Sequence, residues 1–271
     1  MATTNSKIIK PTRRELLMAG GAGLGALAAG PDFARAAECV LTSTQVEGPY
    51  YIREADDRRD LRSGKPGVDL ILRFKVLDTA NCEPIGGVVS EIWSCDAHGI
   101  YSGHPEVDPD TGLGPGFRGG GRRGRGSGEG GGGRGRPGGP PRGSGGRGGG
   151  PPHREPTGPL RFLRGSQTTN PQGEAEFLTV YPGWYTPRAI HVHLKVHLGG
   201  NELLTTQLFF PDELTDTIHQ TDAYRERYPT PIPNSKDRGV AAGSQPTGAY
   251  PTMTTEGKTQ VGALTIGVKR S

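Results

Sequence analysis

Apolar residues alternate with polar ones in several short runs, and this period-two pattern predicts β-strands. The runs cover residues 68–77, 88–93, 160–165, 175–181, 190–198, 203–210 and 261–268. Turn residues separate them, while residues 212–228 form a short polar segment, helical or irregular, and residues 229–258 a Pro/Gly/Thr-rich loop. With no long amphipathic helix in the pattern, we expect an all-β fold, a β-sandwich of mostly antiparallel strands.

A long segment in the middle of the chain interrupts this pattern. Residues 104–158 contain no hydrophobic periodicity, and within them residues 114–152 are almost entirely Gly, Arg and Pro. Such a composition cannot repay the entropy lost on ordering the chain. We therefore predict that residues 104–158 are a disordered Gly/Arg-rich insertion within a single domain.

The N-terminal 37 residues have the features of an export signal. Arg13 and Arg14 stand in a twin-arginine pattern, and a weakly hydrophobic Gly/Ala-rich run follows, too short and small-sided to span a bilayer comfortably. Ala34-Arg35-Ala36 provides a cleavage site. We expect a domain at residues 38–271 that is exported through the twin-arginine pathway to the periplasm or outside; a disordered basic terminus with an accidental Arg pair is the alternative.

The positive net charge of the chain belongs to its two unusual segments. Of the formal +4, residues 118–150 contribute +7 and residues 1–36 contribute +3, which leaves −6 for the remainder. The basic balance is thus no evidence that the folded domain binds nucleic acid specifically. Since the insertion has no aromatic residue after Phe117, we expect at most weak contact with anionic polymers through it.

The three cysteines, Cys39, Cys82 and Cys95, lack the Cys-x-x-Cys spacing of metal sites. An exported protein could form one disulfide from them and leave one thiol. Small buried side chains are an equally good interpretation, and the sequence does not choose a pairing.

The candidate chemistry centres on residues 185–193. His191 and His193 lie two positions apart on a predicted strand, so both imidazoles point to one face and could bind a single metal ion. Imidazole suits zinc, copper, iron or nickel, and a His pair can also be a polar pair in a core. Tyr185 and Tyr101 could decide which metal ion the site binds. A phenol becomes a good ligand when a hard, strongly charged cation such as Fe(III) holds it deprotonated. Spacing alone does not show that Tyr101, which follows a turn at Gly99, reaches the pair.

Three stretches together resemble the intradiol ring-cleavage dioxygenases, a family that includes catechol, hydroxyquinol and protocatechuate dioxygenases. The resemblance is closest to an exported, compact branch without an N-terminal helical dimerisation domain, and it runs from about residue 39 to 210. The stretches are Trp93-Ser-Cys-Asp96-Ala-His-Gly99-Ile-Tyr101-Ser102, Phe162-Leu-Arg164-Gly165-Ser-Gln167-Thr and Tyr181-Pro-Gly-Trp-Tyr185-Thr-Pro-Arg188-Ala-Ile-His191-Val-His193.

The resemblance implies one non-haem Fe(III) ion in a β-sandwich. By position its ligands would be Tyr101, Tyr185, His191 and His193. Tyr185 would also accept a substrate proton, and Arg188 would stabilise negative charge on the ring. Pro49, Tyr50 and Gln207 would contact the substrate. The implied activity is cleavage of a catechol-type ring by O₂, between its two hydroxyl-bearing carbons, to a muconate-type diacid.

Two other functions compete with this expectation. One is an exported β-sandwich binding module with an idle metal site. The other is a zinc or copper site that uses the His pair alone. The sequence offers no obvious basic residue in the substrate pocket that would bind a carboxylate group on the ring. This favours catechol or hydroxyquinol over protocatechuate as substrate. The sequence predicts no stable membrane span and leaves the oligomeric state open.

Overall fold

The computed structural model describes residues 39–53, 55–111, 154–229, 232–237 and 249–270. The predicted export signal and residues 112–153 of the predicted insertion lie outside these ranges. The strands and the helix are β1 (Asp69–Asp78), β2 (Val89–Trp93), β3 (Arg164–Thr168), β4 (Glu174–Val180), β5 (His191–Leu198), β6 (Asn201–Phe209), α1 (Asp212–His219), β7 (Thr252–Glu256) and β8 (Thr259–Val268). Two single 3₁₀ turns cover Arg225–Arg227 and Asn234–Lys236.

The eight strands form two four-stranded sheets. The first has the order β4-β1-β8-β7, in which only the β1–β8 pair is parallel. The second has the order β3-β2-β5-β6 and is antiparallel throughout. The predicted class, a β-sandwich of mostly antiparallel strands, is confirmed.

The hydrophobic core takes alternate side chains from strands of both sheets, as the period-two patterns require. On β1 the buried positions Leu70, Leu72, Phe74 and Val76 alternate with partly exposed ones. On β5 the core positions are Val192, Leu194 and Val196. The intervening β5 residues His191, His193 and Lys195 are also buried, because other parts of the chain cover that face of the second sheet. This covered outer face carries the candidate site.

Two strand predictions need correction. The strand predicted at residues 160–165 is observed as β3 (Arg164–Thr168), because Leu163 has φ +53°, a left-handed conformation that interrupts extended backbone. The loop predicted at residues 229–258 contains β7 (Thr252–Glu256), which has no buried residue. An edge strand joined to its sheet by backbone hydrogen bonds needs no apolar alternation, so the sequence pattern did not reveal it.

The predicted insertion is too wide at both ends. Residues 104–111 and 154–158 have defined positions, and His104 and Val107 are buried. The Thr157 amide donates to the Gly103 carbonyl at 2.8 Å, which brings the chain back beside its point of departure. These contacts offset the conformational entropy that is lost when the two ends of the segment become ordered.

One disulfide is present among the three cysteines, between Cys39 and Cys82, whose Cα atoms are 5.3 Å apart. Cys95 is a buried thiol whose sulfur lies 3.2 Å from the Gly183 carbonyl oxygen. The expected disulfide is thus formed by Cys39 and Cys82, and the alternative of a small buried side chain applies to Cys95. In the part of the chain that the structure describes, no helix has the length and apolar character that a membrane crossing would require.

Candidate metal centre

One transverse row of residues across the second sheet forms the floor of the site. The strand register pairs Arg164 with Trp93, Trp93 with His193, and His193 with Gln207. Directly paired residues point to the same face of a sheet, so these four side chains share the covered outer face. The Trp93 ring stacks on the imidazole of His193, with centroids 4.8 Å apart and planes 3° from parallel. The sheet thereby holds His193 rigidly.

The two imidazoles meet through their Nε2 atoms, which are 3.2 Å apart. His191 Nδ1 lies 2.7 Å from the Ala189 carbonyl oxygen and must donate to it, so Nε2 carries the lone pair. A metal-binding histidine commonly donates its second N–H to a backbone carbonyl in this way. Imidazole nitrogens bind transition metals at about 2.0–2.1 Å, so two on neighbouring coordination positions lie roughly 3 Å apart, as observed.

Tyr185 reaches the His pair from a tight turn. The Arg188 amide donates to the Tyr185 carbonyl at 2.9 Å and closes that turn, which contains a cis peptide between Thr186 and Pro187. The Tyr185 hydroxyl is 3.2 Å from His191 Nε2 and donates to it. The first phenol is thus in direct contact with the imidazole pair.

Tyr101 reaches the same point from a second turn. Asp96 organises this turn by accepting hydrogen bonds from the amides of His98 and Ile100, each at 3.0 Å. Gly99 has φ +83°, and a Cβ there would meet the Trp184 carbonyl oxygen at 2.1 Å, so only glycine fits. The ring centroids of Tyr101 and Tyr185 are 5.5 Å apart, and that of Tyr101 lies 6.1 Å from that of His193. The structure therefore brings both phenols and both imidazoles together.

Burial keeps all four groups neutral while no cation is bound. It raises the pKa of Tyr101 and of Tyr185 above the ordinary tyrosine value, although the Arg188 guanidinium opposes this for Tyr185. Burial also lowers the pKa of His191 and of His193 well below the ordinary histidine value. Neutral imidazoles offer lone pairs at once, whereas the phenols would ionise only beside a strongly charged cation.

The donor set fits a hard transition-metal ion. The buried Tyr101 hydroxyl faces that of Tyr185, and no other described residue offers it a hydrogen bond, so a metal ion at this point would give it a further partner. No group of three or more His, Cys, Asp and Glu side chains in the described ranges could hold a metal. A metal bound here would need the phenols as well as the His pair, and phenolate oxygen favours Fe(III) over zinc.

Arg188 enters the site on a fixed support. Its Nε donates to Asp237 Oδ2 at 3.0 Å, and its Nη2 donates to Gln207 Oε1. Gln207 in turn donates through Nε2 to the Val46 carbonyl at 2.8 Å. Burial alone would lower the pKa of the guanidinium, but the neighbouring Tyr185 and the Asp237 carboxylate outweigh it and raise that pKa.

Residues 45–51, which we call the covering segment, close the site from outside. The Gln45 amide donates to the Thr205 carbonyl at 2.8 Å, and Glu47 accepts a hydrogen bond from the buried Lys195 ammonium. Gly48 lies against His193, and the ring of Tyr50 stacks on that of Tyr101 with centroids 4.5 Å apart. The segment thereby excludes water from two of the four donor groups.

The structure places the predicted site residues around one centre and shows two further residues beside them, Arg154 and Asp237. Tyr50 lies beside the phenols, Gln207 supports Arg188, and the Pro49 carbonyl accepts a hydrogen bond from the Arg154 amide at 2.9 Å. Arg154 was missed because it belongs to the segment predicted to be disordered, yet its guanidinium lies 5.7 Å from the centre of the Tyr50 ring. Asp237 was also missed, because its loop has no motif that marks it.

Solved structures with the same fold were found by comparison of coordinates. An intradiol ring-cleavage dioxygenase from Tetranychus urticae matches with a TM-score of 0.64 and 24% identity, over 85% of this chain and 95% of that one. Hydroxyquinol 1,2-dioxygenase from Pseudomonas putida DLL-E4 matches with a TM-score of 0.51 and 16% identity, over 85% and 67%. Comparison with protein-family models and with curated proteins gave no match. At these identities the likeness shows a shared fold, which confirms the resemblance inferred from the sequence at that level.

Proposed function

We propose that this protein is a non-haem Fe(III) dioxygenase that cleaves catechol-type rings between the two hydroxyl-bearing carbons and inserts both atoms of O₂ to give a muconate-type diacid. The observation that carries the proposal is the convergence of two buried phenols and two neutral imidazoles on one point. The fold shared with intradiol dioxygenases supports it.

Each residue of the site has a role in this chemistry. Tyr101, Tyr185, His191 and His193 would hold Fe(III), which as a Lewis acid would make a bound catecholate reactive toward O₂. The Tyr185 phenolate oxygen, deprotonated beside the cation, would accept a proton from the substrate as the diol binds and become a neutral phenol, so that this residue is a ligand and a base in turn. Arg188 would stabilise the negative charge that develops on the substrate ring, in a cleft from which water is excluded.

The rings around the donor groups suit a flat aromatic substrate. The Tyr50 ring stacks on that of Tyr101 and lies nearly perpendicular to that of Tyr185, at a centroid distance of 5.9 Å. Planar rings favour stacked and edge-on contacts of this kind. We infer that Tyr50 and Pro49 border the substrate, and that Gln207 acts on it through Arg188.

The first test is the visible absorption spectrum of the Fe(III)-reconstituted protein before and after anaerobic addition of catechol. We expect a tyrosinate-to-iron charge-transfer band that moves to longer wavelength with catechol, followed by O₂ uptake and a diacid product on aeration. Tyr101→Phe should weaken the band and the iron affinity. The matched control Tyr228→Phe changes an exposed phenol outside the site and should leave both unchanged.

Two results would overturn the proposal. A protein that stays colourless and binds no Fe(III) would remove the dioxygenase and leave the idle binding module. Tight binding of zinc or copper that Tyr101→Phe does not weaken would favour a site made by the His pair alone. Catechol, hydroxyquinol and protocatechuate, compared by kcat/KM, then decide the ring substituent.

We also propose that residues 1–37 export the folded domain to the periplasm or outside. The Cys39–Cys82 disulfide supports this, since disulfides persist mainly in oxidising compartments. Twin-arginine export would carry the domain after folding.

A further inference from the structure

Asp237 is a buried carboxylate that touches the candidate site from a loop without a sequence motif. Its side chain is fully buried, and it directly follows a 3₁₀ turn at Asn234–Lys236 that is tied to Asp212 and Phe210 through Asn234. Its carboxylate is paired with the Arg188 guanidinium, whose Nε lies 3.0 and 3.2 Å from the two carboxylate oxygens. A buried charge requires such compensation, so the pair is held together strongly.

Asp237 also binds the backbone that leads to the His pair. The Ala189 amide donates to Asp237 Oδ2 at 2.6 Å, and the carbonyl of the same Ala189 accepts from His191 Nδ1 at 2.7 Å. The carboxylate therefore orients both the guanidinium and the short stretch between Tyr185 and His191. Two donors on one carboxylate define its position more closely than either would alone.

The contacts leave one edge of the Arg188 guanidinium for a ligand. Nε is used by Asp237 and Nη2 by Gln207, while no described residue accepts a hydrogen bond from Nη1. A guanidinium held at two of its nitrogens is pre-organised, so it needs no reorganisation when charge develops near it. Without Asp237 the side chain could turn on its flexible stem.

We propose that Asp237 is a positioning residue that holds the Arg188 guanidinium aimed at the substrate; this rests on the proposed ring-cleavage function. Asp237 acts on the substrate through Arg188, whose guanidinium it binds with both carboxylate oxygens. The negative charge of Asp237 also balances Arg188, so the resting site carries no unpaired positive charge from this arginine.

The kinetic test compares Asp237→Asn with Asp212→Asn in the iron-loaded protein. In Asp237→Asn the amide oxygen can keep the hydrogen bond from Ala189 at the Oδ2 position, but the new NH₂ then faces the Arg188 Nε–H. We therefore expect kcat to fall roughly 10- to 100-fold with a smaller change in KM and the same iron content. Asp212→Asn alters the other carboxylate tied to this loop, which accepts from the Asn234 amide, and should change kcat less than about 2-fold.

A double variant distinguishes positioning from general destabilisation. If Asp237 acts through Arg188, adding Asp237→Asn to Arg188→Met should lower kcat no further than Arg188→Met alone. Multiplicative losses in the double variant, or equal effects of the Asp237 and Asp212 changes, would overturn the proposal.

A second measurement needs neither iron nor activity. In ¹⁵N NMR spectra of the metal-free protein, the Arg188 Nε–H signal, identified by its loss in Arg188→Lys, should exchange slowly in the wild type and in Asp212→Asn. It should become fast-exchanging in Asp237→Asn, and an unchanged signal would overturn the proposal. If the wild type neither binds iron nor cleaves catechol, the proposed function fails while this signal still reports whether Asp237 holds Arg188.

Discussion

Replacement of Gly48 by alanine should damage the site more than the fold. Gly48 has φ +81°, and a Cβ there would lie 2.9 Å from Cε1 of His193. Unstrained carbon contacts are about 3.5–4.0 Å, so one atom must move by roughly half an ångström or more. The imidazole cannot yield easily, because the Trp93 ring stacks flat against it.

The control Gly257→Ala separates backbone strain from this contact. Gly257 has φ +65° in the β7–β8 hairpin, and a Cβ there would meet nothing within 4 Å. Both variants incur about 1–2 kcal/mol for a left-handed alanine. Overpacking against His193 should cost Gly48→Ala about 1–3 kcal/mol more, a further fall in Tm of roughly 2–12 °C for a domain of this size.

Urea unfolding and metal analysis of the two variants provide the assay. A displaced imidazole should also weaken iron binding, because metal–ligand distances tolerate only about 0.2 Å. We therefore expect substoichiometric iron in Gly48→Ala and full iron in Gly257→Ala. Equal unfolding midpoints together with equal iron content would refute the claim that the covering segment lies against His193.

Three further predictions test other parts of the chain. Burial raises the pKa of Glu91 to about 7, above its unfolded value of about 4.3. Between these two pH values the folded state therefore binds one more proton than the unfolded state. The unfolding free energy of the wild type should fall relative to that of Glu91→Gln by up to roughly 3 kcal/mol as pH rises from 4 to 8. If urea titrations gave the same difference between the two proteins at every pH, they would contradict this. The Cys39–Cys82 disulfide spans 43 residues, so Cys39→Ser/Cys82→Ser should cost about 4 kcal/mol by loop entropy. A reductant should lower the wild-type midpoint to that of the double variant and leave the variant unchanged; a wild-type midpoint that does not move would argue against the bond. Arg13→Lys/Arg14→Lys should retain the full chain inside the producing cell, measured by fractionation and immunoblot, and undiminished export would exclude the twin-arginine signal.

Much of the sandwich could be read from local sequence. Strand β1 and the buried face of β5 follow from apolar alternation, because the side-chain period of a strand is two. The same rule put His191 and His193 on one face, and the structure has their Nε2 atoms 3.2 Å apart. The edge strand β7 escaped this reasoning because it is held by backbone hydrogen bonds and contributes no buried side chain.

The sequence by itself determined the donor types and the short-range part of the site, from Tyr185 to His193, since a turn and one strand bring these residues together. Only the tertiary structure decided that Tyr101 joins them, because its approach depends on a turn packed against Trp184. Tertiary structure also decided the Cys39–Cys82 pairing and the contact of Asp237 with Arg188. These contacts join residues 43 to 92 positions apart, and at such separations the packing of the sheets and loops, rather than local periodicity, selects the partner.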